Sequence, residues 1–145
     1  MKMIAWNCQG AGNEMFRDHA YELHRRHRPN MLIIIEPHIA EARAQAVIDT
    51  LPYTHSYRVD PTGYSGSIWL LWNESPTFFV EIITRNEHSI HALVKVHSPS
   101  VSFLLTAVYA PPPPSFINAN SFGNISKILL GIFLFRGCSW GILMI

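Results

Sequence analysis

An α/β layered fold is predicted from three features of the chain. It opens with the alternation strand, helix, strand, helix, which builds layered α/β structure. Its second strand, Met31 to Ile35, is an unbroken apolar run (MLIII), as expected where both faces of a strand are covered. Its middle carries several β-branched and aromatic stretches separated by turn signals, a pattern that favours antiparallel pairing through short connections. Together these predict a mixed sheet with helices on one face.

The elements follow in order. Lys2 to Trp6 is a short apolar strand, and a loop with Gly10 and Gly12 follows it. A helix is expected from about Asn13, a capping residue, to His27, with Met15, Phe16, Ala20 and Leu23 inward at helical spacing. Pro29 and Asn30 stop it. After the buried strand a second helix is expected from about Ala40 to Leu51, turning Ala42, Ala46 and either Val47 or Ile48 inward before Pro52. Further strands are predicted at Tyr53 to Val59, Ser67 to Trp72, Phe78 to Thr84, Ile90 to Val96 and Val101 to Tyr109. The run Pro111 to Pro114 ends the last, because proline cannot donate to a ladder.

Composition narrows the classes of function. The 145 residues fit one domain, and a net charge of +1 excludes a strongly cationic nucleic-acid coat. Two cysteines, Cys8 and Cys138, give neither a disulfide framework nor a structural zinc pattern. The N-terminus turns polar too soon for a signal peptide, so an intracellular protein, nuclear or cytoplasmic and not secreted, is expected. The charge is distributed unevenly. All ten carboxylates lie between Glu14 and Glu87, and after Lys95 only Lys127 and Arg136 are charged. The apolar run Ile128 to Phe135 is eight residues long, against the roughly 20 that a bilayer-spanning helix needs. A membrane-associated tail is therefore a secondary reading.

Three residues stand where strands end. Glu36 closes the buried strand at its C-terminal edge, where α/β folds place their sites, and a part-buried carboxylate there calls for a cation or donor. Magnesium suits it, being a hard ion that keeps water and phosphate as its other ligands. Asn7 ends the first strand with an amide able to meet a phosphate oxygen or orient a metal-ligating carboxylate. Tyr109 ends the last predicted strand with a phenol that could donate to phosphate. Each also has a plain reading, as a solvent-facing Glu, a turn-forming Asn and a core-edge aromatic. The run His24 to Arg28 (HRRHR) suits a helix C-terminus and is read as a solvated end before a phosphate contact. The segment Gly63 to Ser67 is read as a tight turn into a strand, since no helix follows to make a phosphate loop.

Taken together, WNCQGAG, IIIEPH, GYSGSIWLLW and FLLTAVYAPP occur in one order and at one set of spacings. Over residues 1–114 the chain resembles the endonuclease domain of non-LTR (LINE-type) retrotransposons, particularly the plant ones, within the endonuclease/exonuclease/phosphatase family. The resemblance implies the N-terminal half of a four-layer α/β sandwich and a Mg²⁺-dependent phosphodiester hydrolase acting on DNA. It places Asn7, Glu36 and Tyr109 as catalytic residues, with Glu36 and Asn7 toward the metal. Here Pro37 replaces the motif's usual small polar residue, and Gly66-Ser67 stands where the family has a glycine pair. The family's later Gly-Asp-x-Asn and Ser-Asp-His motifs are missing, for no Asp follows Asp60. A truncated and inactive enzyme is expected, supplying about one sheet of two, whose uncovered inner face would forfeit on the order of ten kcal/mol.

Residues 115–145 are expected to be an irregular apolar tail, out of frame. If each hidden codon is the third base of one residue plus the first two of the next, Trp140–Gly141 forces Gly and Met144–Ile145 forces Asp. Permitted codon choices then turn Ser121 to Ile145 into LWEYLQNLAGNISFPWLFMGDFND, which carries the GDFN motif the resemblance expects. Sequencing the coding DNA tests this, and stop codons in the shifted frame would refute it. Two other functions compete with the enzyme reading: a non-enzymatic interaction module using Pro111 to Pro114 as a polyproline ligand, and membrane association through the tail.

Overall fold

Strand β1 (Lys2–Asn7) lies parallel to β2 (Met31–Ile35), pairing Met3 with Met31 and Asn7 with Ile35. The computed structural model describes residues 1–61, 67–97 and 100–110, together with the backbone of Lys127–Phe135 and Gly141–Met144. The connection between β1 and β2 is helix α1 (Glu14–His27), and α2 (Glu41–Ile48) follows β2. Asn13 caps α1, its side-chain oxygen accepting the Phe16 N–H at 2.8 Å. The helix closes at Arg28 in left-handed conformation, whose N–H returns to the His24 carbonyl.

The strands of the middle divide between two sheets. Strands β3 (His55–Val59) and β4 (Ile68–Trp72) complete the first, in the order β3-β4-β2-β1 followed by β9 (Gly141–Met144). Strands β5 (Phe78–Asn86), β6 (Ser89–His97), β7 (Ser100–Ala110) and β8 (Lys127–Phe135) form the second, antiparallel throughout. The expectation that this length supplies one sheet is therefore corrected. The reason lies in β4, which is already paired on both edges, by β2 and β3. The next strand has no edge left beside it, so the turn at Ser75–Phe78 starts a new sheet. The segment expected to be irregular contributes β8 and β9, paired through the backbone with β7 and β1.

Two cores result. Between the sheets lie Met3, Ala5, Ile33, Ile35, Ile68, Leu70, Trp72, Ile90, Val94, Phe103, Leu105 and Tyr109. On the other face of the first sheet, Ile4, Trp6, Leu32, Ile34, Trp69 and Leu71 pack beneath both helices. Every residue of MLIII and of IWLLW is buried, because these strands are covered on both faces. Of the inward residues expected, Phe16 and Ala20 of α1 and Val47 and Ile48 of α2 are buried and Leu23 packs against the same core, whereas Met15, Ala42 and Ala46 are exposed. Met15 is 65% exposed, because Phe16 takes the inward position, stacked on Trp6 at 5.1 Å and edge-on to Trp69. In α2, Ala44, Val47 and Ile48 are buried while Ala42 and Ala46 face solvent. No helix among the described residues is long and apolar enough to cross a membrane.

Candidate metal and phosphate site

The C-terminal edges of β1 and β2 carry an unusual concentration of backbone strain. Gln9, Glu36 and His38 all have positive φ, at 50°, 58° and 54°. Each such non-glycine residue costs on the order of 1–3 kcal/mol and persists only where surrounding contacts fix it. Here those contacts are visible. The Glu36 N–H donates to the Ser67 carbonyl at 3.2 Å, and its own carbonyl accepts the Gly10 N–H at 2.8 Å and the Cys8 thiol at 3.5 Å. The Cys8 and Ala11 N–H groups donate to the Ile35 and Pro37 carbonyls. The two post-strand loops are thus stitched together beyond the end of the sheet. Gly10, at φ 115°, supplies the one conformation in this stretch that requires glycine.

Within that frame Glu36 is 7% exposed, a buried carboxylate at a strand end. The exposed His38 imidazole stands near it, Nε2 lying 3.8 Å from a Glu36 carboxylate oxygen. Asn7 shares the register of Met3 and Ala5, whose side chains face the second sheet, and its side-chain oxygen accepts the Gln9 N–H at 3.2 Å. Tyr109 is on the inner face of β7, 5% exposed, in the same core as Ile35 and Ile68. Its N–H donates to the His88 carbonyl at 2.8 Å.

Cross-sheet contacts fix which end of the sandwich Tyr109 occupies. Arg85, near the end of β5, donates to the Arg58 carbonyl at 3.4 Å and lies over the Tyr57 ring. Arg58 and Val59 pair with Trp69 and Ile68, and Ile68 pairs with Ile35. Arg85 in turn pairs with Ile90, and Ile90 with Ala107. The C-terminal ends of β1, β2 and β7 therefore meet at one end of the molecule. Asn7 and Glu36 are brought to adjacent strand ends, and Tyr109 to the same end of the facing sheet.

Two neighbours have no assigned role in the sequence reading. His38 is read there only as part of the motif around Glu36, and nothing in the spacing signals its approach to the carboxylate. Ser67, read as one position of a turn, is 1% exposed, and its hydroxyl has no hydrogen-bond partner among the described residues. The turn leading into it, residues 62–66, lies outside the described residues, as do Pro111 to Pro114.

The basic run behaves as a solvated helix end. Arg25 and Arg26 both pair with Glu22, and these guanidiniums hold its carboxyl at about 2. His24 turns inward against the Tyr53 ring, and burial lowers its pKa from the ordinary 6.5. A cleft of about 750 Å³ is lined by Tyr21, His24, Arg28, Asn30 and Asn73. It opens beside the start of β2, at the opposite end of the parallel strands from Glu36.

Scanned against known protein families, the chain matches none, and comparison with curated proteins also finds no match. The donor set itself bears on magnesium. Among the described residues no three His, Cys, Asp or Glu side chains gather to hold a metal. Magnesium does not require three, since it binds through one or two carboxylates and keeps several waters. Glu36 meets that minimum, with the Asn7 amide oxygen on the adjacent strand and the orphaned Ser67 hydroxyl nearby in the chain fold.

Proposed function

We propose that the chain carries the first part of a divalent-metal-dependent phosphodiester hydrolase site, built for a DNA backbone and catalytically incomplete. The observation that carries the reading is Glu36: a carboxylate 7% exposed, in left-handed conformation, held by backbone hydrogen bonds at the shared end of β1, β2 and β7. Strain held in place by neighbouring backbone at a strand end is characteristic of functional positions.

In this reading Glu36 and Asn7 would hold Mg²⁺, which would supply Lewis-acid polarisation and charge neutralisation at a phosphate. Asn7 orients the phosphate through its amide, using the donors that its bond from Gln9 leaves unused. Tyr109 donates its phenolic proton toward a phosphate oxygen from the facing sheet. Hydrolysis also needs a base for the attacking water and an acid or cation near the leaving oxygen. The resemblance draws those groups from Asp-containing motifs, and no Asp follows Asp60. Phosphodiester binding without efficient turnover is the consequence.

Two measurements on the full chain test this. Duplex DNA retention should depend on Mg²⁺ and fall about tenfold in Glu36→Gln, as expected when the carboxylate that would hold the charge-offsetting ion is lost. Plasmid nicking should stay at background. DNA binding indifferent to Glu36→Gln would overturn the site, and robust Glu36-dependent nicking would overturn its incompleteness.

A further inference from the structure

Two arginines, Arg43 and Arg85, are held in a way that leaves their charge uncancelled. Arg25 and Arg26 are paired with Glu22, and Arg58 with Asp60 at 3.1 Å. Arg43 and Arg85 rest instead on backbone oxygens. Arg43 Nη2 donates to the Gly12 carbonyl at 3.3 Å, and Arg85 Nη1 to the Arg58 carbonyl at 3.4 Å. The Arg85 guanidinium also lies 5.7 Å from the centre of the Tyr57 ring. All ten side-chain carboxylates of the chain fall among the described residues, and neither arginine takes part in an ion pair with any of them. A carbonyl accepts a hydrogen bond without cancelling the cation, so each guanidinium is anchored and keeps its full charge and its remaining donors.

Both anchors lie at the Glu36 end of the molecule. Gly12 belongs to the loop after β1, where the Gly10 N–H donates to the Glu36 carbonyl and the Ala11 N–H to the Pro37 carbonyl. A Cβ at position 12 would stand 3.1 Å from Arg43 Nη2, so glycine there leaves the space that the guanidinium fills. Arg58 precedes Val59, which pairs through Ile68 with Ile35, the residue before Glu36. The Arg85 anchor is therefore two strands across the sheet from β2, about 10 Å at the usual strand spacing. Arg43 approaches from the helical layer, and Arg85 from the edge strand of the second sheet. Charges set apart in this way suit a ligand that repeats its negative charge along its length. With a net charge of only +1 the chain has no general attraction for such a polymer, so binding has to come from charges placed locally.

We propose, on the reading of Glu36 as the centre of a phosphodiester site, that Arg43 and Arg85 contact DNA phosphates to either side of the one held there. The bound strand then runs across the sheet end from the loop after β1 to the end of β3.

The test uses the full chain and a short DNA duplex at fixed Mg²⁺, with the dissociation constant measured at several salt concentrations. Arg43→Gln and Arg85→Gln should each make the slope of log affinity against log salt shallower by about 0.9, the counterion release of one phosphate contact, and the double variant by about 1.8. Arg43→Lys and Arg85→Lys keep the charge and should restore the slope, which a defect of folding would not. Arg25→Gln, at the opposite end and beside the cleft, should leave the slope unchanged. An unchanged slope in either glutamine variant, or a loss that lysine fails to restore, overturns the proposal, while Glu36-dependent retention of the same duplex preserves the Glu36 site. Retention indifferent to Glu36→Gln overturns both.

Discussion

Cys8 lies under the loop that follows β1, its thiol directed at the Glu36 carbonyl. Burial pushes this thiol up from 9.0 to about 12, with the Glu36 charge adding to the effect. The fold therefore keeps Cys8 neutral, and only the unfolded chain ionises it near its ordinary value. Its contribution to stability is complete below pH 9.0 and is lost as pH rises toward about 12. At pH 8 the folded chain should label at Cys8 at least about tenfold more slowly than the urea-unfolded chain, since the thiolate is the reactive form. Peptide mapping after a timed alkylation pulse checks this, and equal rates in both states would contradict the burial. The residue scale is also where the sequence was most informative about the site. Glu36 after MLIII and Asn7 after IAW mark strand ends by polarity alone. The approach of His38 and the orphaned hydroxyl of Ser67 were not legible, because both depend on left-handed backbone and on a strand from elsewhere in the chain.

At the scale of single elements the two helices are capped unequally. Asn13 accepts the Phe16 N–H, whereas α2 begins after Ala40 with no side-chain cap. Asn13→Ala should cost about 1 kcal/mol, and Ala40→Asp should add a similar amount, since Ala40 already has the extended backbone a cap requires. Urea denaturation of both variants measures the difference, and an unchanged midpoint for Asn13→Ala would show that α1 is held by packing alone. The cap was legible in the sequence, and so was most of the inward stripe of α1, Phe16, Ala20 and Leu23, while Met15 and the alanines of α2 were not. Helical spacing was read as placing both Met15 and Phe16 on the buried face of α1, and only Phe16 is there. The choice falls to Phe16 because the aromatic rings of Trp6 and Trp69 are there to receive it. In α2 the small residues Ala42, Ala44 and Ala46 give little amphipathic signal, so the sheet beneath decides which alanine is covered.

Over the whole molecule, two sheets and one helical layer divide the apolar residues into two cores. Leu70 and Leu71 are neighbours in β4, both 0% exposed, and they point into different cores. Leu70→Ala should cost about 2–5 kcal/mol, a large part of what holds a domain of this size together. Chemical denaturation followed by tryptophan fluorescence measures it, and a loss under about 1 kcal/mol would mean that the sheets do not pack as a shared core. The second sheet also changes the expectation of an uncovered inner face. The first sheet is covered on both faces by residues the chain itself supplies, so that source of instability is removed.

The sequence by itself determined the element types as far as β7, the buried strands MLIII and IWLLW, the cap of α1 and the polar residues at strand ends, because these follow from local periodicity and side-chain chemistry. Tertiary structure alone decided that the strands divide into two sheets, since that depends on β4 having both edges filled. It alone placed Tyr109 at the same end as Glu36, through pairings between residues far apart in the chain. It also set His38 beside the carboxylate, through a backbone conformation that only the joined loops after β1 and β2 can hold.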